Sequence, residues 1–349
     1  MQYGFSIKRK CYLLSVLLMT VWLTGCVQEE FESTPSPAGN GIRFTLTVPD
    51  VNLPSVSSRT MTGTGTAKKE DEIETVDILV FDMSKTPAVF LEWVSATGVT
   101  QDLADNSTVS FSAVLSPTTA STCIVVVANK ELDNIVSGFT KGATTKVEAM
   151  EKMLHTQTGK WLADGSTTGG YTRIPMYGEK VISKITPSMN PITEINMKRM
   201  LARIDIRNNS VTSNFMVEEV YLANYNTTGY IAPAWNTNGQ VTEPAPDTPV
   251  LPTGSGKMTE EGNAILYSVN GNTPYDGEIY TFESLAAGDA GGAGQDGEAS
   301  RKDATCLIVK GKIGTGESTF YRVDFTKTGN TGEQVEYLPL KRNHKYIIT

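Results

Sequence analysis

The chain has 349 residues, with 30 Lys and Arg against 38 Asp and Glu and a formal charge of −8. Setting aside the basic start at Lys8, Arg9 and Lys10 takes this to −8 − 3 = −11, and no basic cluster of the kind that binds nucleic acid survives. Only four cysteines and two histidines are present, and Thr, Ser, Gly and Asn are abundant, which describes an extracellular, strand-rich protein rather than a cytosolic enzyme.

Met1 to Gly25 reads as a signal peptide. After the basic start, Cys11 to Leu23 is an almost uninterrupted apolar run. It is too short to span a hydrocarbon core of roughly 30 Å but fits the apolar region of a secretory signal. The run ends in Leu23-Thr24-Gly25-Cys26, small residues followed by a cysteine, which is a lipoprotein box. Cys26 is the candidate lipidation site, and outer-membrane lipid is the partner it implies. Stable anchoring takes two or more acyl chains on that residue. Glu29, Glu30 and Glu32 follow and resemble the surface-export signal of Bacteroidetes lipoproteins, and Ser33 to Gly41 is a polar tether with nothing to bury. The remaining 349 − 25 = 324 residues suit two domains.

Ile42, Phe44, Leu46 and Val48 alternate with Arg43, Thr45 and Thr47, a period-two strand with one apolar face, ended by Pro49 and Pro54. Val51 to Lys69 reads as a loop. Strands are predicted at Ile73–Phe81, Val89–Val94, Ser107–Leu115 and Thr122–Asn129. Thr145 and Glu148 form a capping box ahead of Val147, Met150, Met153 and Leu154 at helical spacing, so one helix should cover a sheet. Ile174–Ile185 reads as a hairpin or paired strands, and PSMNP (187–191) as a domain boundary. The second half repeats the texture at Leu201–Arg207, Met216–Tyr225, Ala264–Val269, Glu278–Glu283, Ala304–Lys312, Thr319–Phe325 and His344–Ile348. Two long loops, Asn226–Gly262 and Ala286–Ser300, interrupt it. The expectation is an all-β chain of two β-sandwich domains with one or two short helices.

Cys123 and Cys306 each lie in an apolar strand-like run, far apart in sequence. A disulfide between them is allowed in an oxidising compartment, but two buried free thiols are the favoured reading. Chemistry-bearing motifs are missing: there is no HExxH, CxxC, GxSxG or phosphate-binding glycine loop, and ADGSTTGG (163–170) lacks the strand-to-helix context of one. His155 is expected at a helix C-terminus, partly charged against its carbonyls, and His344 at the start of a strand. Glu218 and Glu219 are expected on opposite faces of a strand. Asp102, Asp105 and Asn106 read as a solvated turn rather than a cation site. No catalytic residue, metal ligand or cofactor is therefore predicted.

Four segments carry a family likeness. EIETVDILVFD (72–82), CIVVVANK (123–130), MKRMLARIDI (197–206) and KRNHKYIIT (341–349) stand in the order of, and resemble, motifs of the Bacteroidales fimbrillins, the type V pilins. The resemblance implies transthyretin-like, Greek-key sandwiches and a role as a fimbrial structural subunit in adhesion, with a host or bacterial surface ligand as a further partner. It also implies a lipidated precursor whose N-terminal strand is removed by an arginine-specific protease, so that a strand from the next subunit fills the vacated groove. The matching features are the removable strand Ile42, Phe44, Leu46 and Val48 and the cut between Arg59 and Thr60, with Arg43 the weaker candidate. The divisions that follow are a lipidated propeptide 26–59, an N-terminal sandwich 60–190 and a C-terminal sandwich 191–349. Fimbrillins continue past the last motif, so that sandwich is expected to be truncated. Alternatives are an anchor or tip component of the same system, or a glycan-binding surface lipoprotein using Trp93, Trp161 and Trp235 to stack on sugar rings.

Overall fold

The computed structural model describes residues 42–48, 69–101, 108–162, 172–208, 214–255, 257–258, 262–271, 273–287, 302–327 and 336–349. All of them fall in one compact unit, Gly41–Thr349.

Period-two alternation builds the first sheet. β1 (Ile42–Thr47) sits among β4 (Thr97–Gln101), β5 (Thr108–Ala113) and β8 (Ile192–Asn196) in the order β4-β5-β1-β8. The second sheet holds β2 (Val76–Asp82), β3 (Val89–Ser95), β6 (Thr122–Ala128) and β7 (Met176–Ile182), ordered Lys198–Arg199, β7, β6, β2, β3. The expected hairpin at Ile174–Ile185 is thus the single strand β7, and the pair it lacks locally is supplied by β6 across a long connection. The sheets pack through β1, Ile78, Val80, Ile124, Val126 and their neighbours.

Leu79, Phe81, Cys123, Val125 and Val127 point the other way, into a second core under the helices α1 (Asp133–Val136) and α2 (Lys146–Lys152). Burial on both faces is why CIVVVA (123–128) is a continuous apolar run rather than an alternating one. The capping box on α2 forms as its sequence indicates: Glu148 N donates to Thr145 Oγ1 at 3.2 Å and Thr145 N donates to Glu148 Oε2 at 2.8 Å. Beneath it Lys146, 1% exposed, reaches Glu179 at 2.6 Å.

The second half has its own pair of sheets. One is β12 (Tyr275–Thr281), β9 (Ala202–Ile206) and β15 (Lys345–Ile348), in that order. The other is β11 (Ile265–Ser268), β10 (Phe215–Ala223), β13 (Cys306–Ile313) and β14 (Thr319–Asp324), in that order. They enclose a third core around Ile204, Val220, Tyr267, Leu307 and Tyr346. Residues 192–199, beyond PSMNP, still pair with strands of the first half. Met200, Leu201, Ile231, Ala232, Tyr280 and Phe282 join the core under the helices, so that core is shared by both halves.

A bulge corrects one expectation. The β10–β13 register slips between Val217 and Glu219, so two adjacent residues face the same side. Glu218 pairs with Lys312 and Glu219 with Lys310, each at 3.2 Å. Both carboxylates therefore lie on one face, each held by a lysine.

Candidate assembly site: the first strand and its groove

β1 occupies an interior lane of its sheet. On one side it runs antiparallel to β5 in unbroken register from Ile42↔Ala113 to Thr47↔Thr108. On the other it runs parallel to β8 through Phe44↔Ile192, Leu46↔Ile195 and Thr47↔Asn196. The register slips between Phe44 and Leu46, where Glu194 takes φ 60° in the left-handed region. Beyond the ladder, Met197 N donates to Thr47 O at 2.8 Å.

The inward side chains Ile42, Phe44, Leu46 and Val48 are 5%, 1%, 0% and 2% exposed. They lie against Ile78, Val80, Val109, Phe111, Ile124, Val126, Ile192 and Ile195. Phe44 stacks on Phe111 with centroids 4.9 Å apart and planes 6° apart. Gly178 lets the β8 wall approach: a Cβ there would stand 2.7 Å from Met197 Sδ and 2.8 Å from Ile195 Cγ2. At roughly 1.5–3 kcal/mol per buried side chain, the four apolar residues contribute on the order of 6–12 kcal/mol before ordering costs. Arg43 is exposed within the strand, a poor position for a protease that needs an unpaired backbone.

The segment that leads into β2 is fastened differently. The 3-10 turn Lys69–Asp71 brings Glu70, 8% exposed, against groups from the second half. Arg203 Nη1 donates to Glu70 Oε1 at 2.8 Å and Tyr280 OH donates to Glu70 Oε2 at 2.7 Å. Asp205, fully buried, takes Arg203 Nε at 2.8 Å, Nη2 at 3.0 Å and Gly277 N at 2.8 Å. Burial alone would pull the Arg203 pKa down, but Glu70 and Asp205 outweigh it and raise it above the usual arginine range. Burial, with Glu70 beside it, likewise holds the Tyr280 hydroxyl far above an ordinary tyrosine. Arg199, 2% exposed, pairs with Asp71, donates through Nε to Glu70 O at 3.3 Å and through Nη1 to Asn343 Oδ1 at 2.9 Å. Arg199, Arg203 and Asp205 come from MKRMLARIDI and Asn343 from KRNHKYIIT, motifs legible in the sequence whose joint role was not; Tyr280 and Gly277 come from neither.

Cys26, Arg59 and Thr60 lie outside the described residues, as do Asp102, Asp105, Asn106 and ADGSTTGG. Cys123 and Cys306 are free, buried thiols. His155 corrects the expectation of a charged ring. It lies past the helix end, with its ring 5.2 Å from that of Trp161. Burial, with Lys130 adding to it, depresses its pKa to about 4, so the ring is neutral. Trp161 is 3% exposed, while Trp93 and Trp235 pack against the same core. Among the described residues there is no group of three or more His, Cys, Asp or Glu that could hold a metal, and no helix long and apolar enough to cross a membrane.

Comparison with solved structures finds distant likenesses. The tip fimbrial protein Mfa3 of Porphyromonas gingivalis, solved with a C-terminal truncation, is 15% identical with a TM-score of 0.44, over 88% of this chain and 95% of that one. A candidate cell adhesion protein of Parabacteroides distasonis is 16% identical with a TM-score of 0.45, over 88% and 89%. A fimbrial assembly protein of the same organism is 13% identical with a TM-score of 0.39, over 86% and 95%. No curated protein matches. The family model described as major fimbrial subunit protein (FimA) matches residues 42–300, most of the chain and all of the β1 groove. By that match the chain belongs to the major fimbrial subunit protein (FimA) family, and its role is that of a structural subunit of fimbriae.

Proposed function

We propose that this subunit is exported as an outer-membrane lipoprotein anchored through Cys26, is cut between Arg59 and Thr60 by an arginine-specific protease, and polymerises by strand exchange in the β1 lane, so that the resulting fimbrium mediates adhesion to a host or bacterial surface. The observation that carries this reading is the position of β1. It is an interior strand of its sheet, with all four inward residues buried, yet in sequence a Pro-, Ser-, Thr- and Gly-bearing connection, residues 49–68, separates it from the rest of the core. A strand so placed leaves two unpaired edges and an apolar slot when it departs, which is the recognition chemistry of strand addition. Arg59 lies in that connection, followed by TMTGTG, a Thr- and Gly-rich composition that suits a cleavage site.

The reading makes no use of a catalytic group, metal or cofactor. The test is digestion of the full chain with an arginine-specific protease, then N-terminal sequencing and sizing in the presence of a donor strand. The expected result is a new terminus at Thr60 and a gain of oligomers, both lost in Arg59→Ala, while Arg43→Ala changes little. Native surface-extracted filaments whose subunits keep an uncut Arg59 would overturn the mechanism.

A further inference from the structure

Once β1 is gone, something must stop the new N-terminal end from fraying into β2, whose Ile78 and Val80 line the emptied slot. The residues between the connection and β2 are bonded at nearly every step. Glu70 and Asp71 are held by Arg203, Tyr280 and Arg199 as described above. Asp71 O accepts from Gln101 Nε2 at 2.8 Å, and Ile73 N donates to Gln101 Oε1 at 3.0 Å. Glu72 O accepts from Asn129 Nδ2 at 2.8 Å, and Glu74 N donates to Asn129 Oδ1 at 3.0 Å. Arg173 pairs with both Glu72 and Glu74, at 3.1 and 2.5 Å. The anchors of Glu70 stand on β9 and β12, which pack into cores that contain no residue of β1. Emptying the slot therefore removes no apolar support from them. Arg199 also lies three residues past the end of β8, the parallel wall of the slot, so one side chain ties the chain leaving that wall to the turn.

We propose that Glu70–Glu74, gripped by Arg199, Arg203 and Tyr280, is a latch that confines strand exchange to the β1 lane: it fixes the start of β2 and the chain leaving β8 while the lane is empty. This rests on the reading that β1 leaves. Glu70, Arg199 and Arg203 are positioning residues in it, since none of them touches β1.

Amide hydrogen exchange on the full chain tests the latch without depending on proteolysis. Leu46→Ala loosens β1. In that background residues 42–48 should exchange faster, together with 192–197, whose ladder partner is β1, while residues 70–82 and 198–199 keep their protection. In Leu46→Ala/Glu70→Gln, residues 70–82 should exchange at least tenfold faster, whereas Glu70→Gln alone should leave residues 42–48 and 202–206 as in the parent. Should Glu70→Gln fail to fold, Asp71→Asn, at a less buried carboxylate, is read the same way. Unchanged protection of residues 70–82 in the double variant would overturn the proposal. A uniform loss of protection in Glu70→Gln alone would also overturn it, since the network would then serve only overall stability. Failure of the strand-exchange reading is seen separately, as a cut chain that never takes up a donor strand.

Discussion

Phe44→Ala puts the energetics of the β1 lane to a quantitative test. The ring is 1% exposed, stacked on Phe111, and seated between the antiparallel and parallel neighbours of its strand. Truncating a buried phenylalanine costs about 3–5 kcal/mol through lost transfer energy and the cavity left behind. The slot is walled by β-sheet on both sides, so collapse around the missing ring is limited. The cost belongs at the upper part of that range. Urea denaturation of the full chain, with Arg43→Ala as control, measures it. The control side chain is exposed and should change stability by no more than about 0.5 kcal/mol. In a chain cut after Arg59, where β1 is held without covalent help, the same loss should raise its dissociation rate about 10³- to 10⁴-fold. That rate is readable with a labelled peptide of the β1 sequence. A loss below about 1 kcal/mol, or equal effects of the two substitutions, would refute the claim that the alternating apolar face holds the strand.

Cys26→Ser should abolish labelling by a radioactive fatty acid and release the protein from membranes; a labelled, membrane-bound variant would remove the anchor assignment. Burial pushes the Cys123 thiol up to about 12, so at pH 8 a thiol reagent should react with it only after unfolding, where the ordinary value near 8.5 returns. A mass-spectrometric peptide joining Cys123 to Cys306 would contradict the two free thiols. His155 binds its proton at about pH 4 when folded and near 6.5 when unfolded. The unfolded chain therefore takes up the proton first as pH falls, and stability is lost between about 6.5 and 4. His155→Phe should flatten that part of the stability–pH curve, and an unchanged slope would rule out the neutral buried ring.

What could be read from the sequence follows the physics of each element. β1 announced itself because one face is buried and the other wet, which forces alternation. β6 did so because burial on both faces forces a continuous apolar run. The helix was legible from its capping box. β8 was not marked as a wall of the slot: only Ile192 and Ile195 are buried, and the left-handed Glu194 between them breaks the period of two. The bulge at Glu218 hid itself for the same reason, since one inserted residue inverts the expected faces. The latch was the least legible part. Glu70 and Arg203 are 133 residues apart, and a charged residue in a motif looks the same whether it is solvated or carries a buried contact. The His155 expectation failed because the helix stops short of it and aromatic packing excludes water.

A subunit in a surface filament is pulled, and the geometry of the first lane governs how that pull is resisted. The β1–β5 ladder runs without a slip through six pairs, from Ile42↔Ala113 to Thr47↔Thr108. Tension along the strand axis meets these pairs all at once, in shear, whereas a force across the sheet would part them one at a time, like a zipper. Direction matters as well, because β5 is antiparallel and β8 parallel to the occupant. A strand lying in this lane reuses both sets of partners only when it runs as β1 does. Any polymer built through the lane would inherit a single polarity, and its grip would be strongest along the axis in which a tethered cell draws on it.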